Sequence, residues 1–211
     1  MSGPSPDVAA LRTALRAGAV ALVPTDTVYG LAAALDSEPG IAALYALKGR
    51  PRSQPCQVLV LAPALLDEAL APLADALRRA ARALLPGPAT CLLPDPAGRY
   101  RAAAGAEPGR VGLRAPAIAG PLAALDLPLV ATSGNDPGGP DPAILDEVPA
   151  RLRTGASVAV DVGRLPGTAS AVVDLEPLAG GRPARLVRAG PDPAAVARAL
   201  RSVGAALDRA S

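Results

Sequence analysis

The chain has 211 residues, of which 50% are hydrophobic, and a formal net charge of +2, so its composition predicts a soluble globular protein with a large core and neither requires nor excludes an anionic partner. It contains no histidine, which excludes Ser-His-Asp and Cys-His catalysis and His-ligated zinc sites. Since no long apolar stretch, cysteine pair motif or signal peptide is seen, we expect a cytoplasmic protein without a membrane segment, in which Cys56 and Cys91 are reduced.

The first predicted elements are a flexible tail and a short helix. We expect residues 1–7 to form the tail and residues 8–211 to form one domain. Asp7 is suited to cap a helix whose apolar stripe includes Leu11 and Leu15. This helix leads directly into the first strand.

The next stretch, AVALVPTDTVYGL, joins an apolar strand to a turn of hydroxyl and carboxylate residues. Ala19–Val23 is the predicted strand, and it should end at Pro24 because proline cannot donate a hydrogen bond to a neighbouring strand. The side chains of Thr25–Thr27 would then stand at a sheet edge, where ligands bind in open α/β folds. The alternative is an ordinary turn in which these side chains bond only local backbone groups.

Lysine and asparagine each occur once in the chain, at Lys48 and Asn135. Ser37 is predicted to cap a helix that ends at Lys48, the only lysine among 21 basic residues. Lys48 and Arg50 flank Gly49, and we expect both to be exposed charges suited to a triphosphate. The simpler interpretation is that Lys48 complements the helix macrodipole.

The middle of the chain is predicted to alternate strands, helices and loops. Gln57–Leu61 is a predicted strand, and Ala64–Leu85 is predicted as two helical pieces separated at Pro72. A proline-rich stretch then delivers Thr90 at the head of a further strand. Asp95–Gly109 is predicted to be a mobile loop.

Two further strands carry candidate binding residues. Charged and apolar residues alternate in Arg110–Arg114, as in a half-buried strand, which puts Arg110 and Arg114 on one face. Pro128–Thr132 is the next predicted strand. It leads into Ser133–Gly139, a Gly-rich loop that exposes backbone N–H groups and lets a ligand approach closely.

The last third of the chain continues the alternation of strands and helices. Strands are predicted at Val158–Val162, Ala171–Leu175 and Ala184–Val187. A terminal helix follows from Asp192, with a packing stripe that extends to Leu207. About seven strands interleaved with helices predict an α/β fold in a single domain.

Six stretches, in this order along the chain, resemble the motif set of the YrdC family of threonylcarbamoyl-AMP synthases: Ala19–Leu31, Leu47–Pro51, Leu85–Thr90, Arg110–Pro116, Ala131–Gly139 and Gly167–Asp174. The resemblance implies a twisted, mixed parallel and antiparallel sheet with helices and a basic concave cleft. It also implies condensation of L-threonine, bicarbonate and ATP, with Mg²⁺, to L-threonylcarbamoyl-AMP and pyrophosphate. This product would serve tRNA threonylcarbamoyladenosine modification through downstream transfer proteins.

The resemblance also implies roles for individual residues. Threonine would be contacted by Thr27, Arg114, Ser133 and Ser170, and Arg114 is the expected partner of its carboxylate. ATP would be held by Lys48, Arg50, Thr90, Arg110, Asn135 and Arg188. No residue is assigned as a metal ligand, since the Mg²⁺ is expected to arrive with ATP.

The chain departs from the family pattern at four positions. Gln54 stands where many members have lysine, and Leu59 where many have a histidine that contacts threonine. Pro137 replaces the second serine of the S-A-N-x-S-G motif, and Ala171 replaces the threonine of S-T-V. Because the chain ends at Ser211, we expect a short form without the extra C-terminal domain of longer members.

Two other classes of function stay open at this point. One is a non-enzymatic module for double-stranded RNA or ribosome maturation, although three tyrosines without any Phe or Trp argue against base stacking. At most weak RNA binding is expected. The other is a carbamoyl-adenylate enzyme of hydrogenase maturation, which normally carries zinc-finger and acylphosphatase modules; neither is visible in this sequence.

Overall fold

The structure, a computed structural model, describes residues 7–209. Asp7 caps the first helix, because its carboxylate Oδ1 accepts hydrogen bonds from the backbone N–H groups of Ala9 and Ala10 at 3.0 Å. This confirms the predicted cap. The other residues of the predicted tail, 1–6, and residues 210–211 of the predicted domain lie outside the described residues.

One mixed sheet organises the described residues, and its ten strands lie in the order β10-β9-β8-β4-β5-β3-β6-β2-β1-β7. Neighbours are parallel in the pairs β1–β7, β3–β5, β4–β8 and β9–β10, and antiparallel in the others. This confirms the predicted mixed sheet. The strands are β1 Ala21–Pro24, β2 Tyr29–Ala34, β3 Gln57–Leu59, β4 Ala89–Pro94, β5 Arg110–Arg114, β6 Leu129–Ser133, β7 Val158–Ala159, β8 Ala171–Asp174, β9 Ala184–Arg188 and β10 Leu207–Arg209.

The α-helices begin and end close to the residues that the sequence indicated. Ser37 caps the second helix, and Gly49 ends it in the left-handed conformation with φ of 68°. Asp192 caps the last helix. The helices are α1 Val8–Arg16, α2 Glu38–Lys48, α3 Pro63–Leu70, α4 Asp75–Leu84, α5 Ala150–Gly155 and α6 Pro193–Ser202.

Alternate strand residues divide the core into two clusters, one on each face of the sheet. Leu22 belongs to the face covered by α2, α3, α4 and α6, where residues such as Leu44 pack. Its neighbour Val23 belongs to the other face, which α1 covers through Leu11 and a short 3-10 turn covers through Leu122. These two segments are small. They leave part of the second face open, and the candidate site lies there.

Two strands were not predicted from the sequence. Tyr29–Ala34 is buried at all six positions and contains three successive alanines, so it lacks the apolar and polar alternation of a half-buried strand. It pairs antiparallel with β1, so the turn after Pro24 closes a β-hairpin. Leu207–Arg209 forms a strand parallel to β9, and α6 therefore ends at Ser202, before the predicted end of its stripe.

The Asp95–Gly109 segment differs from the predicted mobile loop. Tyr100 and Ala103 within it are buried in the core. The Asp95 carboxylate accepts hydrogen bonds from the backbone N–H groups of Arg99 at 3.0 Å and Tyr100 at 2.7 Å. These contacts fix the segment because apolar side chains reach the core while the carboxylate satisfies the turn.

Candidate active site

A cleft of about 390 Å³ lies on the open part of the sheet. Three arginines and one aspartate line it, Arg50, Arg114, Arg188 and Asp141. This excess of positive charge fits the expected basic cleft. Its hydroxyl groups come from Thr25, Thr27, Thr90, Thr132, Ser133 and Ser170.

The hairpin turn between β1 and β2 is held by hydrogen bonds of Thr25 and presents Thr27 to the cleft. Thr25 Oγ1 accepts hydrogen bonds from the backbone N–H groups of Thr27 and Val28, each at 3.1 Å, and donates to the Val28 carbonyl oxygen at 2.8 Å. Thr27 is buried, and its carbonyl oxygen accepts from Gly167 N–H at 2.9 Å. The turn therefore satisfies its own backbone and also contributes to the site, so both interpretations of the sequence hold in part.

Arg114 is buried at the centre of the cleft and is already fully engaged at its two terminal nitrogens. Nη1 donates to the carbonyl oxygens of Ala89 at 3.2 Å and Gly87 at 3.4 Å. Nη2 donates to Thr27 Oγ1 at 3.0 Å and to the Asp26 carboxylate, with which it forms an ion pair. Burial lowers the pKa of the Arg114 guanidinium, and the charge of Asp26 opposes this shift.

Asp26 was not predicted as a site residue. Besides its ion pair with Arg114, its Oδ2 accepts a hydrogen bond from Ala117 N–H at 2.9 Å. The carboxylate thus ties the hairpin turn to the segment that follows β5. The sequence carried no specific signal for this role, since Asp and Thr are common in ordinary turns, where they bond local backbone groups.

Lys48 is buried, which corrects the expectation of an exposed charge. Its Nζ donates to the carbonyl oxygens of Ser133, at 2.7 Å, and Asn135, and to Asn135 Oδ1 at 2.8 Å. Burial, reinforced by the nearby charge of Arg50, lowers the pKa of Lys48 to about 8. The C-terminal end of α2 directs this side chain under the Gly-rich loop rather than into the cleft lining.

Arg50 lies in the cleft lining and is half-buried. Its Nη1 donates to Thr132 Oγ1 at 3.0 Å, its Nη2 to the Pro55 carbonyl oxygen at 3.0 Å, and its Nε to Gln54 Oε1 at 3.1 Å. Each terminal nitrogen keeps a second N–H group that these contacts do not use. Arg50 is therefore held in place with donors to spare for an anion.

Ser133 and Asn135 form the Gly-rich loop above Lys48. Ser133 lines the cleft, and its Oγ donates to Asn135 Oδ1 at 2.7 Å. Asn135 is outside the lining residues; its Nδ2 donates to the Gly139 carbonyl oxygen at 2.8 Å. Asn135 therefore shapes the loop that positions Ser133.

Thr90, Ser170 and Arg188 meet on the floor of the cleft. Thr90 Oγ1 lies 3.1 Å from Ser170 Oγ, which accepts from Arg188 Nη2 at 3.2 Å. Arg188 Nε also donates to the Ser170 carbonyl oxygen at 2.8 Å. Thr90 Oγ1 in turn donates to Oε1 of Gln57, a cleft residue that was not predicted.

A β-bulge puts Arg188 on the cleft face. The register pairs Val172 with Arg188 but Val173 with Leu186, so Val187 is an extra residue in β9. Leu186 packs in the core on the helix-covered face. Without the extra residue Arg188 would share that face, because strand side chains alternate with a period of two.

Arg110 lies at the far end of β5, outside the cleft lining. It forms ion pairs with Asp174 at 2.9 Å, Glu107 at 3.3 Å and Glu176 at 3.4 Å. Burial acts to raise the pKa of the Asp174 carboxyl, but Arg185 and Arg110 outweigh it, and the net shift is downward. Seven of the ten predicted binding residues therefore line one cleft; Lys48, Asn135 and Arg110 do not.

The four departures from the family pattern have different surroundings. Gln54 is exposed and accepts a hydrogen bond from Arg50, which a lysine could not do. Leu59 is buried and lines the cleft, Pro137 is exposed, and Ala171 is buried with its N–H bonded to the Pro88 carbonyl oxygen.

Within residues 7–209, no group of three or more Asp, Glu, Cys or His residues could hold a metal ion. The cleft lining offers one carboxylate, Asp141, so its donor set fits a metal ion that comes already bound to a ligand.

In the same part of the chain, no helix is long and apolar enough to cross a membrane.

The chain is similar in sequence to a known protein family. The Sua5_yciO_yrdC family model, described as telomere recombination, matches residues 13–190. The threonylcarbamoyl-AMP synthase of Chromohalobacter salexigens is 36% identical over 171 residues, which cover 77% of this chain and 89% of that protein.

Solved structures share the fold. P. abyssi Sua5, crystallised with L-threonine, superimposes with a TM-score of 0.73 and 26% identity over 95% of this chain and 58% of that one. The chain thus spans less than two thirds of the P. abyssi protein. E. coli YciO, at 21% identity, shares the fold with a TM-score of 0.72 over 91% of this chain and 97% of that one. By the family match and by these relatives, the chain belongs to the Sua5/YciO/YrdC family.

Proposed function

We propose that this chain is an L-threonylcarbamoyladenylate synthase, a nucleotidyltransferase that condenses L-threonine, bicarbonate and ATP to L-threonylcarbamoyl-AMP and pyrophosphate. The names of its relatives support this proposal. P. abyssi Sua5 complexed with L-threonine supports threonine as the substrate. The observation that carries the proposal is one cleft of about 390 Å³ in which three arginines and six hydroxyl residues converge.

The chemistry suits a chain without histidine. Once the threonine amine has reacted with bicarbonate and lost water, the resulting carbamate oxygen attacks the α-phosphorus of ATP and expels pyrophosphate. The nucleophile is already anionic, so the protein needs to neutralise charge and hold the groups in line rather than supply a base. Arg50 and Arg188 retain N–H groups suited to phosphate oxygens.

We assign the two substrates to the residues predicted from the sequence. Thr27, Arg114, Ser133 and Ser170 bind threonine, and Arg114 contributes its positive charge to the carboxylate because its terminal N–H groups already bond protein acceptors. Arg50, Thr90 and Arg188 bind ATP directly. Lys48 and Asn135 serve ATP through the loop that they hold, as their mutual hydrogen bonds suggest. The ATP role of Arg110 has the weakest support, since it pairs with three carboxylates.

Mg²⁺ accompanies ATP in this proposal. When bound, it neutralises the phosphates. Asp141, which lines the cleft and accepts from Asn135 Nδ2 at 3.4 Å, is the carboxylate best placed to face such an ion. The product then passes to tRNA threonylcarbamoyl-transfer proteins, which places the chain in the cytoplasm with them.

Pyrophosphate release tests the proposal directly. With ATP and Mg²⁺, release should require both L-threonine and bicarbonate, and mass spectrometry should detect L-threonylcarbamoyl-AMP. A carbamoyl-adenylate enzyme would instead release pyrophosphate with another carbamoyl donor. Pyrophosphate release that is independent of threonine contradicts the proposal.

RNA binding is the alternative to be tested beside it. None of the residues that line the described cleft is aromatic, so the cleft offers no stacking platform for bases. Duplex RNA should bind only weakly, with an affinity that falls steeply as salt rises. ATP, Mg²⁺, threonine and bicarbonate should raise the melting temperature, since a ligand at a hundredfold excess over its Kd stabilises by about 2.7 kcal/mol. Tight, salt-resistant RNA binding without such a shift would favour the RNA module.

A further inference from the structure

The hydrogen bonds on the cleft floor run in one direction. Arg188 has only donors, so Ser170 Oγ accepts from its Nη2 at 3.2 Å. Gln57 Oε1 has only lone pairs, so the Thr90 hydroxyl hydrogen points to it across 3.1 Å. A hydroxyl has one hydrogen, and the remaining bond of 3.1 Å between Ser170 and Thr90 must therefore use the hydrogen of Ser170.

This direction decides what each group can offer a ligand. The hydrogens of Ser170 and Thr90 are both used, so these hydroxyls can only accept hydrogen bonds from a ligand. The two N–H groups of Gln57 Nε2 make no hydrogen bond within residues 7–208, whose side chains the structure describes. Gln57 is therefore a neutral donor at this point of the floor, beside two acceptors and in addition to the unused N–H groups of Arg188.

The position of Gln57 leaves these donors free. Its neighbours across the sheet are Gly112 in β5 and Ala131 in β6, which lack bulky side chains. Gln57 is half-buried and lines the cleft, and its carboxamide is oriented by Thr90 rather than free to rotate. Both terminal nitrogens of Arg114, the expected carboxylate partner, already meet four protein acceptors.

We infer that Gln57 is a substrate-binding residue whose Nε2 donates to a carboxylate oxygen of the amino-acid substrate, while the ammonium group or amine of that substrate donates to the Ser170 hydroxyl oxygen. Thr90 orients the Gln57 carboxamide and keeps the role in ATP binding assigned to it above. In an α-amino acid the carboxylate supplies the acceptor and the amine supplies the donor, and both groups are bonded to the same α-carbon. The inference rests on the proposed function and assigns one neutral contact that supplements Arg114.

Two substitutions at Gln57 test this assignment. Gln57→Leu removes the donors, and Gln57→Glu replaces them with a negative charge facing the carboxylate. We expect KM for L-threonine to rise about 3- to 10-fold in the first, the equivalent of one lost hydrogen bond, and more in the second. KM for ATP should change less than about twofold, and thermal melting should verify folding. Ala43→Glu, on the exposed face of α2, is the matched charge control.

A ligand without the carboxylate sharpens the test. Calorimetry with L-threonine and L-threoninol should show that the wild-type protein prefers L-threonine, and that Gln57→Leu reduces this preference about 3- to 10-fold. An unchanged preference, or a rise in KM for ATP instead of threonine, overturns the inference while leaving the proposed function intact. If the wild-type protein neither binds threonine nor uses it, the proposed function fails and the inference fails with it.

Discussion

Asp26 and Arg114, 88 residues apart in the sequence, form an ion pair beside the cleft that Arg114 lines, and their side chains are only 11% and 2% exposed. Asp26 also accepts a hydrogen bond from Ala117 N–H, and Arg114 donates to two carbonyl oxygens and Thr27. The pair therefore joins the β1–β2 hairpin to β5. Arg114 serves the stability of the cleft as well as its proposed ligand.

Arg114→Met should lower the free energy of unfolding by about 3–5 kcal/mol, because it leaves the Asp26 carboxylate, which is largely shielded from solvent, without its charged partner. Arg114→Lys should bind threonine more weakly, since one ammonium group cannot donate to four acceptors arranged around a planar guanidinium. Urea denaturation measures the first effect and threonine titration the second. Arg82→Met, which removes an exposed ion pair with Asp67, is the control and should change stability by about 1 kcal/mol or less. An Arg114→Met variant as stable as the wild-type protein would show that the ion pair does not contribute to stability.

Lys48 should make stability depend on pH in the alkaline range. Its pKa in the folded chain is about 8 against an ordinary value of 10.5, so between these values the unfolded chain binds more protons. The free energy of unfolding of the wild-type protein should therefore rise with pH in this window, relative to that of Lys48→Met. Denaturation of both proteins at several pH values measures the difference. A difference that stays flat, or falls with pH, contradicts the assigned burial.

Lys48→Met should also be less stable than the wild-type protein near neutral pH. It removes the donor shared by three oxygen atoms of the Ser133–Asn135 loop. Asn135 Oδ1 still accepts from Ser133 Oγ, so the loss falls on the two carbonyl oxygens, and each unsatisfied group costs about 1–3 kcal/mol. Urea denaturation of both proteins at neutral pH measures the difference.

Arg50→Ala should raise KM for ATP about 10- to 150-fold, which corresponds to a lost charged contact of about 1.5–3 kcal/mol. Stability should change little, because Arg50 is half-buried and its partners can be hydrated from the cleft. Arg52→Ala is the matched control, since Arg52 lies outside the cleft lining and pairs with the exposed Glu38. Steady-state kinetics at varied ATP compares them. Equal KM values in the two variants would remove Arg50 from the ATP site.

The contribution of Asp174 to the free energy of unfolding should be lost at acidic pH. Its pKa in the folded chain lies below the ordinary value of 3.8, so its contribution is fully present above that value and is lost as pH falls through the folded pKa. The free energy of unfolding of the wild-type protein should therefore fall more steeply with decreasing pH in this acidic range than that of Asp174→Asn.

Arg110→Met tests whether Arg110 serves the ion pairs with Asp174, Glu107 and Glu176 or binds ATP. It should reduce the acid sensitivity contributed by Asp174, while Arg185 still pairs with that carboxylate at 2.6 Å. KM for ATP should stay within about twofold, because Arg110 lies outside the cleft lining. A large rise in KM with unchanged stability would restore the role in ATP binding predicted from the sequence.

Gly190→Ala should destabilise the fold and disturb Arg188. Gly190 has φ of 69°, and an added Cβ would lie 2.3 Å from the backbone nitrogen of Ala171, beside Ser170. Gly181→Ala is the matched control, since Gly181 has the same φ of 69° but nothing within 4 Å of the added Cβ. The control should cost about 1 kcal/mol from backbone strain alone, and Gly190→Ala clearly more. Equal melting temperatures would mean that the close approach to β8 is not required.

The sequence by itself determined the elements whose signals are local. Capping side chains at Asp7, Ser37 and Asp192 marked helix starts, because a cap bonds N–H groups within three residues. Pro24 marked the end of β1. The motifs also identified the family and seven residues that line the cleft.

Only the tertiary structure decided which charged side chains face the cleft and which are buried. The bulge at Val187 turns Arg188 to the cleft, and its presence depends on pairing with β8, a contact that the local pattern does not encode. Lys48 is buried because a loop 85 residues later in the chain folds over the end of α2. The strand Tyr29–Ala34 was missed because burial on both faces removes the alternation by which a strand is recognised, and that burial comes from neighbours on both sides of the sheet.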